Sequence, residues 1–130
     1  MAARSLRWAG LILALAGLPV TDALAAEHKL TGPEIETLLT DATASGGSGD
    51  AAYKQYFAAD GATTYVGSEN TPSQGSWRVT GDQYCSVWPP ASTWGCYDVE
   101  GDPAASPPTA TWIGENGART PGTVVKGNRL

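Results

Sequence analysis

Gly75-Ser76-Trp77-Arg78-Val79-Thr80-Gly81-Asp82-Gln83-Tyr84-Cys85-Ser86-Val87-Trp88 is the stretch whose reading decides the fold. Two short runs rich in β-formers flank Gly81-Asp82, a pair suited to a tight hairpin turn. A two-residue turn there sets Val79 opposite Tyr84 and Trp77 opposite Ser86. The next run, Gly95 to Glu100, follows a loop containing Pro89-Pro90. Placing Cys85 opposite Cys96 sets Tyr84 opposite Tyr97 and Val87 opposite Trp94. One face then carries Trp77, Val79, Tyr84, Trp88, Tyr97 and Val99. The other carries Arg78, Thr80, Gln83, Cys85, Cys96 and Asp98. The two alignments are independent and select the same apolar face. That face is expected to be core, with a disulfide bracing the outer side.

The same punctuation recurs on both sides of this stretch. Tyr53 to Ala58 and Ala62 to Val66 flank Asp60-Gly61, and Thr109 to Glu115 and Thr120 to Val125 flank Asn116-Gly117. Pro103, Pro107 and Pro108 keep the connection between them out of a sheet interior. The reading is a mainly β domain. It predicts an antiparallel meander of six to seven short strands, as a small barrel or half-barrel, with one short N-terminal helix. The helix is expected at about 31–40, where Thr31 caps, Pro33 fits the first turn and Glu34 completes a capping box. Ile35, Leu38 and Leu39 share the face that would lie against the domain. A flexible loop is expected at about 44–51, on the strength of Ser45-Gly46-Gly47-Ser48-Gly49-Asp50.

The N-terminus has the pattern of an export signal. Arg4 and Arg7 precede an apolar run from Trp8 to Leu18, too short to span a bilayer, and Ala23-Leu24-Ala25 has the small-x-small form of a cleavage site. Residues 1–25 are therefore expected to be removed, leaving 26–130 as a single small domain of 105 residues that is periplasmic or secreted. Outside the reducing cytoplasm the only two cysteines, Cys85 and Cys96, can pair. That segment holds 6 basic and 12 acidic residues, a balance that argues against nucleic acid and anionic membranes as partners. No second apolar run of spanning length follows. Leu, Ile, Val and Phe together number only 13, but four Trp and five Tyr enlarge the apolar surface available for burial.

With Trp94-Gly95-Cys96-Tyr97 and Tyr56-Phe57-Ala58-Ala59-Asp60-Gly61, the 75–88 stretch resembles a family of small exported bacterial β-domain proteins of unknown function. The similarity runs from about Leu30 to the end of the last hairpin. It implies an exported β domain with a paired cysteine couple and brings no catalytic residues. Gly75-Ser76-Trp77 also resembles the lipocalin G-x-W signature. Lipocalins carry that motif near their first barrel strand, whereas here a helix and a hairpin precede it.

Little in the chain points to catalysis. His28, the only histidine, stands beside the expected cleavage site, a poor place to fix an imidazole against a nucleophile or a metal. Cys85 and Cys96 are too far apart in sequence for a C-x-x-C redox couple. Asp98, Glu100 and Asp102 lack the spacing of a calcium loop and read as a solvated strand edge. No catalytic residue, metal or cofactor is expected. Trp88, Trp94 and Trp112 remain as candidate binding residues, together with Arg78, which shares the outer face with Trp94. They are weighed against a packing role in a core short of aliphatics. The expected function is a non-catalytic binding module for a small ligand, a glycan or an envelope protein. The alternative is a small disulfide-braced inhibitor or envelope-stress protein.

Overall fold

The computed structural model describes residues 27–130, and the expected signal segment 1–25 lies outside them. In chain order the elements are β1 His28–Lys29, α1 Gly32–Leu39, β2 Ala42–Gly46, a 3₁₀ turn Gly49–Ala51, β3 Tyr53–Phe57, β4 Ala62–Val66 and β5 Pro72–Thr80. They continue with β6 Gln83–Val87, β7 Gly95–Asp102, β8 Thr109–Ile113 and β9 Arg119–Lys126. β2 to β9 form a closed antiparallel barrel, because β9 pairs with both β2 and β8, and β8 pairs back onto β7. β1 is an added strand on β7, with His28 opposite Gly101 and Lys29 opposite Glu100. Among the described residues no helix is long and apolar enough to cross a membrane.

The barrel is closed, with eight strands and one added, where six to seven strands in a small barrel or half-barrel were expected. The difference lies in β1 and β2. β1 is two residues long and carries no periodic signal. β2 is Ala-Thr-Ala-Ser-Gly, so its small residues resemble a linker, yet Ala42 and Ala44 are fully buried. Within the stretch 44–51, where a loop was expected, Ala44 to Gly46 belong to β2 and Gly49–Ala51 form the 3₁₀ turn. Small side chains are needed here because Phe57 and Val124 fill the space opposite: Ala42 pairs with Phe57, and Ala44 with Val124. The glycines end the strand, since Gly47 has a φ of 68° that L side chains rarely adopt.

Across β5, β6 and β7 the registers are those read from sequence: Val79–Tyr84, Trp77–Ser86, Cys85–Cys96 and Tyr84–Tyr97. The β6–β7 ladder ends at Ser86–Gly95, so Val87 and Trp94 stand just beyond it. Pro121 lies inside β9, opposite Thr111, where β9 has already lost its β2 neighbour at Thr123. A missing N–H is tolerated at such an edge.

One end of the barrel is closed by α1. Thr31 caps it, with Glu34 answering from N3, and Ile35, Leu38 and Leu39 turn into the barrel with Leu30. They pack there with Phe57, Trp77, Val99 and Val124. The helix start is seated on the β5–β6 hairpin: the Gly32 N–H donates to Asp82 Oδ1 at 2.8 Å, and a side chain at 32 would strike the Gly81 carbonyl. Its other end has no basic residue of its own in the last turn. Lys126 of β9 fills that role, its Nζ donating to the carbonyls of Thr37, Leu38 (3.2 Å) and Thr40 (3.0 Å). A cation on the unpaired carbonyls of a helix C-terminus is favourable. Lys126→Met should therefore lower stability by roughly 1 kcal/mol, a fall of about 4 °C or more in Tm for a domain of this size. Thermal melting of the variant checks this, and an unchanged Tm would count against Lys126 as the cap.

Candidate functional site: an aromatic cavity in the open end of the barrel

Strand alternation sends one side chain in two into the barrel. From β3 these are Tyr53, Gln55 and Phe57; from β4, Thr63 and Tyr65; from β6, Tyr84 and Ser86. Tyr97 and Trp112 enter from β7 and β8. Near α1 this interior is packed solid. Phe57 is wholly buried and touches Trp77 edge-on at 5.6 Å, Tyr84 edge-on at 5.7 Å and Trp112 face-on at 6.1 Å. The Trp77 indole N–H donates to the Ala58 carbonyl at 2.9 Å, so this buried polar atom is satisfied.

Away from the helix the packing stops, and a cavity of about 580 Å³ opens at the other end. Six aromatic rings line it: Tyr53, Tyr65, Tyr84, Trp88, Tyr97 and Trp112. Gln55, Ser86, Ser73 and Thr120 add neutral polar groups, and Pro89 closes part of the rim. The volume is in the range of small-molecule sites, and the mix of rings with few polar groups is usual for them.

The glycine of the G-x-W motif shapes this wall. A Cβ at Gly75 would come within 2.8 Å of Trp88 Cε3, so the Trp88 ring lies directly on the Gly75 backbone. The Trp88 indole N–H donates to Ser86 Oγ at 3.2 Å, and its ring meets Tyr65 edge-on at 6.3 Å. Gly122 does the same for Tyr53, whose hydroxyl occupies the place of a side chain at 122 and donates to the Pro121 carbonyl at 2.8 Å. Gln55 Nε2 donates to Thr63 Oγ1 and to Tyr84 Oη, both at 3.0 Å. Burial pushes the Tyr84 phenol up to about 12, only partly offset by hydrogen bonds with Ser86 and Gln55. Burial, with Tyr65 alongside, also pushes Tyr53 up to about 12. Both phenols are neutral throughout the physiological range.

The residues singled out in the sequence separate into two places. Trp88 and Trp112 line the cavity. Trp94 and Arg78 sit on the outer wall, where the Arg78 guanidinium lies 3.9 Å from the Trp94 ring centre. They share that wall with the Cys85–Cys96 disulfide, formed across a Cα separation of 4.1 Å with Cys85 fully buried. Sequence reasoning missed Tyr53, Tyr65 and Gln55 of the cavity, and placed Tyr84 and Tyr97 in the core without noting the space beside them. The signal was present in Tyr53-x-Gln55-x-Phe57, whose alternation points all three inward. Comparison with family models, with curated proteins and with solved structures finds no match for this chain, so the geometry carries the functional argument.

Proposed function

We propose that this is an exported, non-catalytic binding protein of the envelope or the medium, and that it holds a small ligand in the open end of its barrel. The observation that carries the reading is the cavity of about 580 Å³ walled by six aromatic rings at the end opposite α1. A core short of aliphatic residues would be expected to draw its rings together. Here several of them face open volume instead, and a domain this small gains nothing in stability from such a void. The expected export signal and the disulfide are compatible with a periplasmic or secreted location. The alternative of a disulfide-braced inhibitor acting through a stiff loop has less support, because Pro89 of the Pro89-Pro90 loop lines the cavity.

Titration with the neutral fluorophore N-phenyl-1-naphthylamine tests the proposal. Saturable binding at one site per chain is expected. Ser73→Trp, placed at an exposed position on the cavity lining, should weaken it by about tenfold or more with Tm little changed. Absence of saturable binding, or binding indifferent to the Trp at 73, would overturn the reading.

A further inference from the structure

The rings around the cavity fall into two groups. Towards the mouth, Tyr53 stacks on Tyr65 with centroids 5.8 Å apart and planes inclined by 6°, and Trp88 meets Tyr65 edge-on. Deeper in, Tyr84 touches Tyr97 and Trp112, each at 6.1 Å. Among the described residues no ring contact joins the two groups, yet both line the same cavity. The free volume is bordered by rings of both groups. A flat unsaturated molecule fills such a space with ring-on-ring and ring-edge contacts that a flexible chain cannot reproduce.

The lining also limits polarity. It consists of Tyr, Trp, Gln, Ser, Thr and Pro side chains, with no Asp, Glu, Lys, Arg or His. An ion buried there would lose its hydration without meeting a counter-charge. Most of the deep polar atoms are already engaged within the protein. The Tyr53 hydroxyl donates to the Pro121 carbonyl, the Trp88 N–H to Ser86, and both Gln55 amide hydrogens to Thr63 and Tyr84. Beyond the exposed rim residues Ser73, Gln74 and Thr120, hydrogen-bonding capacity among the described residues is left on the Gln55 carbonyl oxygen, the Trp112 indole N–H and the hydroxyls of Tyr65 and Tyr97. These few groups match a ligand with one or two polar atoms. A buried sugar, with a hydroxyl on most carbons, would keep several of them unsatisfied.

From this we infer that the ligand is an uncharged, planar aromatic or heteroaromatic molecule of two or three rings carrying one or two hydrogen-bonding groups. The inference rests on the cavity being the binding site. Five probes at pH 7 test it. 2-Naphthol, 2-naphthoate and trimethyl(2-naphthyl)ammonium share a ring system and differ in charge. 1-Decanol is apolar without being flat, and glucose offers hydroxyls without an aromatic face. Calorimetric titration should show 2-naphthol binding at least about tenfold more tightly than each of the other four, and losing that affinity in Ser73→Trp. Equal or tighter binding of either ion, of decanol or of glucose would overturn the ligand class while leaving the cavity as the site. Failure of all five to bind would overturn both.

Discussion

Trp77→Ala is expected to unfold most of the protein at room temperature, with a stability loss of roughly 3–5 kcal/mol. Trp77 is 8% exposed and packs on Phe57 and Tyr84, and its indole N–H satisfies the Ala58 carbonyl. Truncation removes that packing, opens a hole beside α1 and takes one of two donors from the Ala58 carbonyl, leaving it the Gly61 N–H at 3.1 Å. Trp94→Ala is expected to cost about 1 kcal/mol or less. Its main partner is the Arg78 guanidinium on the outer wall, and a cation–π contact at a solvent-accessible site is worth roughly 0.5–1 kcal/mol. Urea unfolding of the two variants, followed by tyrosine-region circular dichroism, provides the comparison. Equal losses would show that the two faces of β5 and β7 have been assigned wrongly.

The second large effect is expected at the disulfide. A Cys85→Ser, Cys96→Ser double variant should lose roughly 2–3 kcal/mol, since the bridge closes a loop of 11 residues' separation and a longer loop of 15 is worth about 3 kcal/mol in the chain-entropy picture. The loss should appear as a lower Tm, matched by wild type melted in reductant. Because the bridge braces the outer wall, binding of N-phenyl-1-naphthylamine measured below the melting range should hardly change. Free thiols titrating in the native protein, or an unchanged Tm in the double variant, would count against a stabilising bridge.

What could be read before the structure follows from the range over which each signal acts. Turn residues are local: Gly61, Gly81 and Gly117 all take positive φ, and the hairpins at Asp60-Gly61, Gly81-Asp82 and Asn116-Gly117 lie where their sequences put them. Alternation is local too, which is why Trp77, Tyr84 and Val99 emerge on the buried face. Closure is not local. It depends on Ala42–Ser45 lying against Thr123–Lys126, and a strand of small residues announces no such partner. The cavity was hidden for a related reason. Alternation tells which rings point inward, but whether they fill the interior depends on how all eight strands tilt and on where α1 stops. The same inward tyrosines therefore read as core until the volume beside them is seen. Trp94, the residue with the clearest outward position, is engaged with Arg78 and is not part of the cavity lining.

The seam between β2 and β9 has a consequence for how the molecule is made. From β2 to β9 each strand pairs with its chain neighbour, so the sheet can assemble hairpin by hairpin. The ring is joined only when Ala42 meets Lys126, and α1 receives its terminal cation from the same residue. Contacts across so many intervening residues form late and slowly, because the loop entropy must be met before they exist. A chain made N-terminus first thus stays an open, unfinished sheet until β9 has emerged. The final strand is therefore the step on which closure of the ring waits.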